Sequence, residues 1–148
     1  MRYFIGMICV FFLTSVSLVA ASDDPAGSIR TMKGPASIVR QAKVILAKSG
    51  EKIFEGDILR TGADGSLGVI FKDDTLLSLG PTSELVIDKF LFAPAQGRLS
   101  FVARLLRGTA VYLSGIIAKL APESVRFETP VASVGMRGTK FAVKVSEN

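Results

Sequence analysis

The sequence predicts an all-β domain: a compact roll, sandwich or β-helix-like arrangement of about ten short strands. Three observations carry that expectation. Apolar residues alternate with polar ones in short runs instead of recurring every third or fourth position. Clusters of Gly, Pro and Asp cut those runs at roughly 8- to 12-residue intervals. The composition, 49% hydrophobic against 21% charged, supplies a core and excludes wholesale disorder.

The N-terminus comes first. Arg2 precedes an apolar run from Tyr3 to about Leu18, then small residues Val19, Ala20 and Ala21, then Asp23 and Asp24. This predicts a secretory signal peptide over residues 1–21, cut near Ala21, and a periplasmic or secreted protein that meets the membrane only during export. The alternative is an uncleaved anchor, because the run is nearly long enough to span a bilayer. Cys9 lies inside the run rather than at the small-residue site, so the lipoprotein pattern does not fit.

Residues 22–35 are polar and small, and read as a lead-in. Strands are expected around Ile38-Val39 and Val44-Ile45-Leu46, and over Asp57–Thr61 before the turn TGADGS. Leu67–Phe71 and Thr75–Leu79 form a hairpin around Lys72-Asp73-Asp74. After the turn Gly80-Pro81-Thr82-Ser83, Glu84–Phe90 alternates. Arg98–Leu106 does so too; Gly108 breaks the run and Thr109–Leu113 resumes it. Val125–Thr129 and Phe141–Val145 complete the set. The stretch from Gly115 to Pro122 is apolar without alternation and reads as a helical turn or a long loop. Its Ile116, Ile117 and Leu120 need a surface to pack on, internal or foreign, and an exposed Ile116-Ile117 pair would favour self-association.

The composition also bounds the chemistry. The chain has no histidine, no tryptophan and a single cysteine within the leader. No Ser-His-Asp triad, Cys-His pair or His- or Cys-ligated metal site can be built from the remainder. Calcium would need a ligand array that the acidic residues do not form, and Asp57, Asp64, Asp73, Asp74, Glu84 and Asp88 fall near turns, where carboxylates cap backbone N–H groups. No enzyme, metal or cofactor is therefore expected. The 18 Lys and Arg against 13 Asp and Glu, net +5, are scattered singly, which argues against nucleic acid. A surface carrying Arg98, Arg104, Arg107, Arg126, Lys140 and Lys144 leaves cell-wall or polysaccharide binding open as an alternative to a protein partner.

The stretch TPVASVGMRGTKFAV, 129–143, holds Gly135 and Gly138 around Arg137. It lacks the spacing of a phosphate loop, and a strand rather than a helix follows it. A turn or bulge is the expected reading, with Arg137 either bridging carbonyls or protruding as a recognition residue.

These segments together resemble the FecR domain. The resemblance runs through Gly56-Asp57, Arg60-Thr61-Gly62, Asp73-Asp74-Thr75, Leu79-Gly80-Pro81, Ser83-Glu84, Gly108, Thr129-Pro130, Gly135, Arg137-Gly138-Thr139 and Phe141, covering about residues 36 to 146. It implies that Gly56, Asp57, Arg60, Gly62, Gly80, Pro81, Gly108, Pro130, Gly135, Gly138 and Thr139 determine the fold. The regulators of that family join a cytoplasmic segment that grips a sigma factor to a periplasmic part that contacts an outer-membrane receptor. Neither the sigma-binding segment nor the receptor-contacting module is evident here. The resemblance therefore implies a stand-alone exported FecR-domain protein, a non-catalytic interaction or sensory module with an unidentified envelope protein as partner. The expected binding contacts fall on Ile116, Ile117, Leu120 and Arg137; homo-oligomerisation stays open.

Overall fold

The computed structural model describes residues 24–135 and 140–146. The expected leader, and Arg137, Gly138 and Thr139 of the signature, lie outside them. In chain order the strands are β1 (Gly27–Lys33), β2 (Ala36–Arg40), β3 (Lys43–Leu46), β4 (Lys52–Ile53), β5 (Ile58–Thr61), β6 (Ser66–Phe71), β7 (Leu76–Leu79), β8 (Glu84–Ala93) and β9 (Arg98–Leu113). A short helix α1 (Ile116–Leu120) follows, then β10 (Val125–Glu128), β11 (Ser133–Gly135) and β12 (Lys140–Val145). The 12 strands form one curled sheet, a half-barrel, in the order β3-β2-β5-β8-β9-β7-β6-β1-β4, with β10 and β12 on the other side of β9 and β11 beside β10. Pairing is antiparallel except for β10, which runs parallel to β9 from Val125 opposite Phe101 to Glu128 opposite Arg104.

Strand β9 organises the fold. Its first half pairs with β8 and its second with β7, so one 16-residue strand belongs to both flanks of the curl. The sequence predicted a break at Gly108; the structure has a kink inside a continuous strand. Gly108 takes φ 89°, and a Cβ there would stand 2.6 Å from Ser83 Cβ and closer still to its Oγ and Cα. Only glycine meets both demands. The corner is shared by the neighbouring chains. Gly80 N–H donates to Thr109 O (2.9 Å), Thr82 N–H to Gly62 O (3.0 Å) and Gly62 N–H to Pro35 O (2.9 Å), so the bend crosses four chain segments as a seam.

Alternation places one row of side chains inside the curl. Ile29, Ile38, Leu59, Leu67, Val69, Leu77, Leu85, Ile87, Phe101, Leu105 and Phe127 are fully buried or nearly so. Aromatic rings run through this core in sequence of contact, Phe90–Phe71–Phe101–Tyr112–Phe141–Phe127, with centroids 4.9 to 5.7 Å apart.

One expectation is corrected, and one that was left open is decided. The lead-in expected over residues 22–35 gives way from Gly27 onward to β1, which pairs with both β4 and β6 and seats Ile29 in the core. Its polar look comes from Arg30, Thr31 and Lys33, which face solvent. The stretch after Gly115 is a short helix, and Ile117 on it has no exposed area. Among the described residues, no helix is long and apolar enough to cross a membrane.

Candidate functional site

The buried side chains of Asp57, Thr61, Asp73 and Ser83 each hold backbone groups, and Thr75 Oγ1 donates to Asp73. Asp57 is 1% exposed and accepts two bonds from one guanidinium, Arg40 Nε to Oδ1 (2.9 Å) and Nη2 to Oδ2 (2.8 Å), with Phe54 N–H also on Oδ2 (2.8 Å). The Arg40 guanidinium lies 4.5 Å above the Phe54 ring and donates to Lys52 O. Its bond to Asp57 raises the Arg40 pKa above the ordinary value, against an opposing contribution from burial. The pair ties the β2 end to the turn before β5.

Asp73 does the same for α1. Its Oδ1 accepts from Thr75 N–H (3.1 Å) and its Oδ2 from Thr75 Oγ1 (2.8 Å) and Ile117 N–H (3.3 Å), while its carbonyl accepts from Ile116 N–H (2.7 Å). The helix has no side-chain cap of its own, so a residue 44 positions away satisfies its first N–H groups. Gly115 permits the approach, since a Cβ there would stand 2.7 Å from Thr75 Oγ1 and nearer still to Asp73 O. Tyr112 lies beside this cluster. Burial pushes its pKa up to about 12; Thr75 lowers it and the Asp73 charge adds to the rise. The Tyr112 hydroxyl nevertheless reaches no partner in hydrogen-bond geometry.

At the seam, Ser83 Oγ accepts from Thr109 N–H (3.0 Å) and Thr61 Oγ1 accepts from Ser83 N–H (2.9 Å) while donating to Gly80 O (2.7 Å). The sequence named Gly108 and Gly80 as fold determinants; Thr61 and Ser83 stood in the matching segments without that role, yet their hydroxyls close the same corner. Of the other signature residues, Gly56 N–H donates to Ile87 O (2.7 Å), Arg60 pairs with Glu84 (3.3 Å) and Pro81 is exposed at the corner. Gly135 ends β11 opposite Arg126, with neither a positive φ nor a crowded Cβ position, and the rest of the turn expected over Gly135 to Gly138 lies outside the described residues.

Among the described residues no carboxylates converge. Asp73 is buried and Asp74 exposed; Glu84 meets Arg60 and Arg107, Asp88 meets Arg104 through two bonds of 3.0 Å, and Glu128 meets Arg126 (3.4 Å). Among the described residues no group of three or more His, Cys, Asp or Glu is placed to hold a metal. The same pairs neutralise three of the arginines expected to make a basic face, Arg104, Arg107 and Arg126. Of the residues singled out for binding, Ile117 is in the core and its expected contact role does not fit a side chain with no exposed area. Ile116 is half-buried, and Leu120 is 61% exposed. Arg137 lies outside the described residues.

Two surface features remain. A groove of about 550 Å³ runs between the Thr129–Ala132 loop and the end of β12, walled by Leu106, Pro130, Val131, Val134, Val143 and Val145. It sits where β10 stops at Arg104 and β12 stops at Gly108. Val131 is 92% exposed on its rim. The second feature is β3, an end strand of the sheet with Val44 68% and Leu46 80% exposed.

A seam built from the RTG, LGP and Gly108 segments is what a family pattern of glycines would preserve, and the family comparison agrees. The model of the family described as FecR protein matches residues 57–148, more than half of the chain. The chain belongs to the FecR family. The match begins at Asp57, so β1 to β4 of this FecR domain precede it. No curated protein and no solved structure matches the chain.

Proposed function

We propose that this FecR-family chain is a non-catalytic protein-interaction module of cell-envelope signalling, working outside the cytoplasm after export. The family supports the signalling context, and the leader-like residues 1–21 support export. The observation that carries the interaction role is the groove beside Val131. Its apolar walls lie open, next to a stretch of β9 that no described strand covers on that side. An apolar, extended segment of a partner fits such a place, where ladder groups supply affinity and pockets supply selectivity. Lys144 on the rim favours a partner with an acidic residue nearby.

The test places a photo-reactive amino acid at Val131, and separately at Arg104 on the ion-paired face, in the intact protein in its native envelope. The expected result is one discrete protein adduct from position 131 and none from 104. Absence of any adduct, with the domain instead retained on sacculi or anionic glycans in a salt-sensitive way, would overturn the reading in favour of wall binding.

A further inference from the structure

Strand β3 carries a second and separate inference, one that concerns copies of this chain. Its ladder parity is fixed by the hairpin. Gln41 and Ala42, at φ 48° and 63°, form a two-residue turn closed by Arg40 opposite Lys43. In an antiparallel pair the residues alternate between hydrogen-bonded and non-bonded sites. Ala47 N–H donates to Ala36 O (3.1 Å), so positions 43, 45 and 47 face β2 and positions 44 and 46 turn their N–H and C=O outward. β3 pairs with no other described strand. The outward backbone thus belongs to the two residues whose side chains are also the exposed ones.

The other end strands differ. β4 has two residues, β11 has three, and β12 has Lys140 and Lys144 among its exposed positions, the usual protection of an edge. On β3, Val44 continues a cross-strand apolar row, Val86–Ile58–Val39–Val44, that reaches the edge and stops.

We propose that β3 pairs antiparallel with β3 of a second copy, on a two-fold axis through Ile45. Parity admits few registers, and this one is self-complementary. Val44 meets Leu46 of the partner copy in a hydrogen-bonded pair, the reverse pair forms by symmetry, and four main-chain hydrogen bonds result. Ile45 faces its own symmetry mate at a non-bonded site. Lys43 and Lys48 lie on opposite faces and neither opposes a lysine, so the charges do not forbid the pairing. The adjoining register, with Leu46 facing itself, sets Val44 against Lys48. The contact is short, so the dimer is weak and concentration-dependent, near the small end of interface size.

The experiment is sedimentation velocity on the intact chain across a wide concentration range, with a cysteine reporter. The expected result is a monomer–dimer equilibrium that Leu46→Pro and Leu46→Lys each weaken at least tenfold. Proline there removes an outward N–H and no bond to β2, so circular dichroism should be unchanged. In a Cys9→Ser background, Ile45→Cys should form a disulfide-linked dimer under mild oxidation and Val44→Cys should not, because only position 45 faces itself at cross-linking distance. A chain that stays monomeric throughout, or a dimer that survives both Leu46 variants and gives no Ile45→Cys cross-link, would overturn the proposal. The groove at Val131 is untouched by either variant, so the two proposals fail separately.

Discussion

Of the places in this domain that hold a positive φ, two use it in opposite ways. At the seam, Gly108 bends β9 with Ser83 pressed against it, and no other residue fits. At the β2–β3 hairpin, Gln41 and Ala42 hold positive φ in an open turn without any glycine. The first site is demanded by folding and leaves its mark in the sequence. The second is tolerated by folding, and the strand that follows exposes Val44 and Leu46, which the core does not need. Residues that folding does not require yet that stay apolar at the surface are where function is to be sought; residues that folding dictates are poor candidates, however distinctive they look.

That contrast is sharpest in its consequences for stability. Gly108→Ala combines a strained φ with overlap on the Ser83 backbone, and should cost about 3 kcal/mol or more, read as a fall in the urea midpoint. Asp57→Ala leaves Arg40 and Phe54 N–H without their acceptor and should cost about 3 kcal/mol. A double-mutant cycle with Arg40→Met should recover part of that loss, since the unpaired cation goes with it.

The Tyr112 hydroxyl gives a pH-dependent effect. Its folded pKa of about 12 lies above the ordinary value of 10.0, so the folded state favours the neutral phenol. That contribution is fully present below pH 10 and is lost as pH rises through 12, roughly 2 to 3 kcal/mol in all. Tyr112→Phe should therefore flatten the decline of stability between pH 10 and 12 relative to wild type, and near neutral pH should be neutral or mildly stabilising, since the hydroxyl has no partner to lose. The smallest effect belongs to the open turn. Ala42→Gly removes the positive-φ penalty and should stabilise by about 0.5 kcal/mol, measured by thermal melting.

How far these features could be read in advance follows the same division. The all-β class, the β6–β7 hairpin and the importance of Gly80 and Gly108 were legible, because alternation and turn glycines are local signals. β1 was not, since its one core side chain, Ile29, is surrounded by Arg30, Thr31 and Lys33. Ile117 looked like a surface residue because a five-residue helix has too few turns to show a period, and the Asp73 carboxylate that anchors it lies 44 residues away. The Val131 groove and the β3 edge depend on which strands lack neighbours, a property of topology that no local pattern carries.

The central claim is that β3 is a free edge available for pairing while the seam is closed. Residue-resolved amide hydrogen exchange at two protein concentrations tests it most directly. The account predicts that, in dilute solution, Ile45 is protected and Val44 and Leu46 exchange quickly, while Gly80 and Thr109 at the seam are slow. At high concentration Val44 and Leu46 should gain protection and Ile45 should change little. Equal protection at all three positions in the dilute sample, or no gain at Val44 and Leu46 on concentration, would contradict it.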